Sequence, residues 1–252
     1  GRKYDFEVVQ GQKNITSWTS ISTWYYYGAT VTLSGNSNDD CFMWSGWTTS
    51  WITLSNATLN QTWFAMPAND VKVSSVAKEK TYNIIFSGNG STSWTMSPMN
   101  WVRCTESTWL SVNAFGKSWY TFTGWSRISW DNIIEYTDWQ SVSGLSKTDL
   151  DDVILYAVWD ADNIFLHISY LWKRLDWTEY DIIREDIDYP KVGSFYEAEI
   201  KDFSGFTYDP TEIRNITWMI VSYDSWENDI QVYYKRDQYS VEIINDGEWI
   251  SS

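Results

Sequence analysis

The chain has 252 residues, 43% hydrophobic and 20% charged, with a formal net charge of −15 and a single histidine. That length suits one large domain or several small ones. Such acidity gains nothing from phosphate contacts, so nucleic acid is excluded as an expected partner and the charge reads as a solubility device. No apolar run approaches the ~20 residues of a membrane span, so no membrane insertion is expected within this segment.

Aromatic residues make up 18% of the chain, and 19 Trp outnumber 13 Gly. Ordinary chains hold far more glycine than tryptophan. Thr, Ser, Tyr, Val, Ile and Trp dominate over helix formers, which is a β composition. The chain opens "GRKYDF", without a methionine. We read it as a segment of a longer protein, monomeric within that chain.

In chain order, the first stretch is "KYDFEVVQGQ" at 3–12, a strand expected near 4–9 followed by a Gly-bearing turn; Tyr4, Phe6 and Val8 share one face and Asp5 and Glu7 the other. Period-two alternation of this kind marks a strand with one wet face. Two later stretches open alike, "TYNIIFSGNG" at 81–90 and "QYSVEIINDG" at 238–247. Apolar strands ending in charge, "VILYAVWDAD" at 153–162 and "IQVYYKRDQ" at 230–238, act as closers, and "NDVKVSSVAKEK" at 69–80 closes the first unit less strongly. Val153–Trp159 is apolar on both faces and reads as a central strand. Further strands are expected near 25–33, 41–45, 120–126, 132–136, 164–171, 179–187, 195–200 and 217–223, with "ESTWLSVNAF" (106–115) the best helix candidate. Openers and closers divide the chain into modules at 3–80, 81–161 and 162–238, with 239–252 the start of a truncated fourth. The joints "AKEK" and "DAD" are too short for flexible linkers, so neighbouring modules should touch.

Cys41 and Cys104 form no CxxC pair, so a zinc site is not supported. Two cysteines leave open either a bridge or free thiols, and they do not fix the compartment.

The stretch "KSWYTFTGWSRISWDNIIEYTDWQSVSGL" (117–145) places Trp119, Trp130 and Trp139 where turns are needed. Glycine suits such positions best and tryptophan worst. The same module resembles the Listeria–Bacteroides repeat, the internalin-type B-repeat. Thr95-Met96-Ser97-Pro98, Tyr120-Thr121-Phe122, Gly124-Trp125 and Leu155-Tyr156-Ala157-Val158-Trp159 carry the likeness over nearly the whole module. The first module resembles a divergent relative through "YGATVTL" (27–33), "FMWSG" (42–46) and "MPANDVKV" (66–73). The third resembles a mucin-binding-like or related B-repeat module through "LDWTEY" (175–180), "KVGS" (191–194), "GFTYDP" (205–210) and "VYYKRDQYSV" (232–241).

The resemblance implies a strand-dominated α+β fold of tandem small β-grasp-like modules, from an extracellular or cell-surface bacterial protein engaged in adhesion or spacing. It does not fix the partner: a host surface, a cell-envelope component or a glycan would each fit. Against the family pattern, Trp94, Trp119, Trp139 and Trp177 stand where glycine is expected or interrupt a glycine-bearing motif. Trp18, Trp24, Trp51, Trp130 and Trp226 lie in Ser/Thr/Asp contexts that also read as glycine turns, whereas Trp44, Trp125 and Trp159 match family tryptophans. One recurrent replacement suggests a codon: UGA, read as glycine in some bacteria and as tryptophan in others.

No nucleophile, phosphate-loop, dinucleotide or zinc-hydrolase motif is present, and no catalytic, cofactor-binding or metal-ligating residue is assigned. His167 lies on a predicted strand between Leu166 and Ile168 and reads as a packed or surface residue. The acidic clusters "DLDD" (149–152) and "EYDIIREDID" (179–188) lack calcium-loop spacing and read as solvated faces. The Asn-x-Ser/Thr sites at Asn14, Asn56 and Asn215 are chance occurrences in a Ser/Thr-rich chain. Two roles fit: a non-enzymatic stalk or spacer, and a carbohydrate-binding module stacking sugars on Trp51, Trp63, Trp94 and Trp139.

Overall fold

A computed structural model describes residues 2–9, 15–19, 24–37, 39–50, 52–175 and 179–241. The fold is strand-dominated and built from several small sheets. The chain divides into two compact units, 1–117 with 122–159, and 118–121 with 160–252.

The first module holds β1 (Lys3–Val9), β2 (Ile15–Thr19), β3 (Trp24–Tyr26), β4 (Thr30–Ser37), β5 (Phe42–Thr49), β6 (Gln61–Ala65) and β7 (Val71–Glu79). The second holds β8 (Thr81–Ser87), β9 (Met99–Arg103), β10 (Thr108–Trp109), β11 (Tyr120–Ser126), β12 (Ser141–Val142) and β13 (Asp151–Ala161). The third holds β14 (Leu166–Lys173), β15 (Tyr180–Asp188), β16 (Phe195–Glu197), β17 (Phe206–Tyr208), β18 (Trp218–Ile220) and β19 (Asp229–Arg236).

One strand order occurs three times. The sheets run β3-β1-β7-β5, β9-β8-β13-β11 and β15-β14-β19-β17. In each, the first and last strands of the module form a parallel pair at the centre: β1 with β7, β8 with β13, β14 with β19. Parallel pairing requires a crossover. Here the crossovers carry small accessory sheets, β2-β4-β6, β10-β12 and β16-β18.

Alternating apolar residues on the central strands fill three cores. Phe6, Val31, Leu33, Trp47, Phe64, Val71 and Val73 form the first. Tyr82, Ile84, Phe86, Trp125, Val153 and Leu155 dominate the second, and Leu166, Ile168, Tyr170, Ile230, Val232 and Tyr234 the third. As expected, β13 is central, with Val153, Leu155 and Ala157 buried.

The first two modules share a local device. In "FMWSGW" and "YTFTGW", Gly46 (φ +137°) and Gly124 (φ +156°) each precede a buried tryptophan. A Cβ at Gly46 would lie 2.6 Å from the Ala57 carbonyl oxygen, and one at Gly124 2.7 Å from that of Tyr136. The next residue then donates its N–H to that same carbonyl, Trp47 to Ala57 and Trp125 to Tyr136, both at 2.8 Å. Trp47 is therefore the counterpart of Trp125. Trp44, the residue of this motif expected to match a family tryptophan, stands three residues earlier, edge-on to Trp47 at 4.9 Å.

Three expectations are corrected. The segment 106–115 is not helical: Thr108 and Trp109 pair with Val142 and Ser141, and the Leu110 N–H donates to Gln140. Among the described residues there is no α-helix, only a 3-10 turn at Ser225–Glu227. The strand expected over 25–33 is cut in two where Gly28 takes φ +79° and the Ala29 N–H closes a turn onto Tyr26. The strand expected near 132–136 reduces to a single bridge between Tyr136 and Trp125. Residues 242–252, expected to continue a fourth module, lie outside the described residues.

Candidate functional site

The tryptophans sort by backbone conformation. Seven described non-glycine residues have positive φ, and five of them are Trp94 (66°), Trp101 (60°), Trp119 (65°), Trp130 (62°) and Trp139 (52°). The left-handed region costs a residue with a Cβ ~1–2 kcal/mol, and glycine occupies it freely. A Ser, Asn or Asp precedes each of the five: Ser93, Asn100, Ser118, Ser129 and Asp138. These residues belong to turns. All five indoles are exposed, so none fills a core.

Four of these positions were legible as glycine turns, and Trp101 was missed. It sits in a bulge of β9, where Asn100 and Trp101 stand opposite Asn83 alone, and its N–H donates to Asn83 Oδ1 at 3.2 Å. Glycine is the usual left-handed residue of such a bulge. The signal available was Asn100, which with a following glycine forms the strongest short turn dipeptide. Other tryptophans from the same sequence argument behave differently. Trp18 and Trp24 lie on β2 and β3, and Trp226 in the 3-10 turn. Trp51 and Trp177 lie outside the described residues.

Among the described residues, two exposed ring pairs with planes within 35° of parallel form the candidate ligand platform. Trp109 and Trp139 lie 6.1 Å apart at 35°, and Phe195 and Trp218 lie 5.8 Å apart at 30°. Each pair includes residues of a two-stranded accessory sheet.

The polar candidates are engaged locally. His167 Nδ1 lies 2.9 Å from Asp229 Oδ1, and Nε2 lies 3.2 Å from Glu185 Oε1. A catalytic base needs one nitrogen for a nucleophile and the other for an orienting group. Here carboxylates face both. In the first acidic cluster, Asp149 accepts the Thr81 N–H at 3.0 Å and pairs with Lys78 at 3.2 Å. Those contacts, led by the Thr81 bond, hold its carboxyl below the usual range. Asp152 accepts from Asn83 and Asp151 from Ser146. In the second cluster, Glu179 and Asp181 pair with Arg174, and Asp186 with Arg184 and Lys201. These carboxylates are cross-linked to neighbours rather than simply solvated. No group of three or more His, Cys, Asp or Glu suited to a metal ion occurs among the described residues. No helix among them is long and apolar enough to cross a membrane, which leaves spanning by strands unaddressed.

A dense polar constellation lies at the joint between the first two modules. A single residue, Lys80, separates β7 from β8. Its N–H donates to the Cys41 carbonyl at 2.8 Å, and its carbonyl accepts the Cys104 N–H at 3.0 Å. The two cysteines form a disulfide with Cα atoms 5.3 Å apart. Lys80 Nζ reaches the carbonyls of Asp40 and Lys147, and Lys147 pairs with Asp40 at 2.8 Å. Glu79 accepts from Arg103 and from Thr105. Burial alone would raise the Glu79 carboxyl, but these bonds outweigh it and hold it low.

No protein-family model matches this chain. No curated protein matches it in sequence.

Proposed function

We propose that the chain is a non-enzymatic run of tandem β-grasp-like modules from a bacterial cell-surface or secreted protein, acting as the stalk or spacer of an adhesin. The carrying observation is the four-stranded order repeated three times around a parallel first-and-last pair. The Listeria–Bacteroides motifs fall on that frame, with Gly124-Trp125 near the end of β11 and Leu155-Tyr156-Ala157 on the central strand. The repeat has no α-helix among the described residues, so the likeness to β-grasp rests on the strands. A disulfide spanning the joint suits an oxidising, extracellular compartment.

The same reading assigns glycine to positions 94, 101, 119, 130 and 139 in the protein as its own cell makes it, through UGA codons. UGG codons at these positions would end that assignment. Its consequence bears on the alternative of a carbohydrate-binding module. With glycine at 139 the Trp109 pair disappears, and only Phe195–Trp218 remains to favour sugar stacking. Titration of the chain with plant, host and bacterial-envelope oligosaccharides decides between the two. The spacer reading expects no saturable binding. Binding lost in Trp218→Ala would instead establish the sugar module.

A further inference from the structure

The residue following each module's closing strand makes the same hydrogen bond. Lys80 donates its N–H to Cys41, Asp162 to Trp119 and Asp237 to Gly205, at 2.8, 2.9 and 3.0 Å. These three donors are therefore equivalent joint residues. Two and four positions beyond the first come Tyr82 and Ile84, 1% and 0% exposed in the second core. Beyond the second come Ile164 and Leu166, 6% and 0% exposed in the third. Beyond the third come Tyr239 and Val241, 75% and 86% exposed. The series places core residues where there is solvent.

Charge follows the same register. Two residues before each joint residue stand Lys78, Asp160 and Lys235. Lys78 reaches Asp149 of the following module, and Asp160 reaches Lys191 of the following module. At the third exit, Lys235 and Arg236 are exposed beside a recess of about 710 Å³ that Lys173, Arg174, Leu175, Asp237 and Gln238 also line, four cations against one carboxylate. Arg236 holds the register position of Glu79, since Phe206 pairs with Arg236 as Phe42 pairs with Glu79. Glu79 takes Arg103 of the next module. The sign is reversed at the third exit. Gly205 also stands where Cys41 stands, so this exit has no thiol with which to clip its neighbour.

We infer that the end of the third module is a docking seat for a further β-module of the same topology, with Tyr239 and Val241 as core residues of its first strand and its carboxylates on Lys235 and Arg236. The partner is defined by that chemistry: an acidic corner, held by charge rather than by a disulfide. The inference rests on the module reading but not on the stalk role, so oligosaccharide binding leaves it untouched.

The test extends the full chain after Gln238 with a second copy of residues 82–161, in which Arg103→Glu faces the added corner toward Arg236. Gly205→Cys in the original chain then offers a thiol to Cys104 of the added copy. Docking as at the first joint brings these two together, and a disulfide between them is expected under mild oxidation. Its yield should fall about tenfold when Lys235→Glu and Arg236→Glu remove two ion pairs. Amide exchange, read without the Gly205 change, should show the first strand of the added copy, with its Tyr82 and Ile84 in the places of Tyr239 and Val241, protected. Unprotected amides with no cross-link would overturn the seat. A cross-link indifferent to charge reversal would overturn its electrostatic basis.

Discussion

The turns ahead of β11 and β17 differ chiefly in one residue. "KSWYTF" and "FSGFTY" both run from a bridge residue through two turn residues into a strand. Each gives a carbonyl to the residue after the closing strand, and each second turn residue is left-handed, Trp119 at 65° and Gly205 at 83°. The pairing on either side fixes the backbone, and the residue at the corner has to comply. Glycine does so freely. Tryptophan does so against its own Cβ, with an indole that is 47% exposed. A turn is thus set by its surroundings, and its residue type shows how well a sequence agrees with them.

Four experiments bear on that comparison, in falling order of effect. The largest contrasts the turn tryptophans with the core one. Trp125 is fully buried among Phe86, Phe115 and Phe122. Trp125→Gly should cost ~3–5 kcal/mol in denaturant melts, as core deletions do, while Trp119→Gly should stabilise by ~1–2 kcal/mol. Melting shifts of the same sign for both would break the distinction.

Next comes the disulfide. Cys41 and Cys104 are 63 residues apart, so the bridge should contribute ~4 kcal/mol by loop entropy. Reduction should lower the transition of the first unit and leave the second, which has no cysteine, in place. Calorimetry with and without reductant checks this.

The reciprocal substitution sharpens the turn comparison. Gly205→Trp has open space for a Cβ but inherits the left-handed backbone, so it should cost the third module ~1–2 kcal/mol, the mirror of the gain at Trp119. A neutral result would show that this turn relaxes to another form.

The smallest effect is one of pH. Burial, reinforced by hydrogen bonds to Glu212 and Asp188, pushes the Tyr180 and Tyr196 phenols up to about 12, and burial takes Tyr234 to about 12. A phenol raised on folding stabilises fully below its unfolded value near pH 10, and the contribution drains as pH rises toward 12. The second unit should therefore begin to open in that window, seen as phenolate absorbance rising together with amide exchange.

Much of the frame was legible because central strands advertise themselves. Val153–Trp159 is apolar on both faces and lies mid-sheet, and "YTFTGWS" forms a strand over the expected 120–126. The missed strands β2, β6, β9, β10, β12 and β17 are short or sit at edges, where one wet face and few apolar residues weaken the period-two signal. The false helix at 106–115 came from a segment whose inward residue, Leu110, is placed by a two-residue ladder with no periodicity to read. The disulfide was undecidable because loop geometry brings Cys41 and Cys104 together across 63 residues. The turn tryptophans at 94, 119, 130 and 139 were legible from turn chemistry alone, whereas Trp101 required a bulge that only the pairing reveals.

The parallel pair at the centre of each module has a mechanical consequence. Because the first and last strands run side by side in the same direction, the start of one and the end of the other lie at opposite ends of their shared ladder. A load drawn along the chain enters at one end and leaves at the other. It stresses the ladder hydrogen bonds together, in shear, instead of peeling them one at a time. Among the described residues the ladder has four register pairs in the first module and six in each of the others. The edge of the first module is in addition tied by a disulfide to its neighbour.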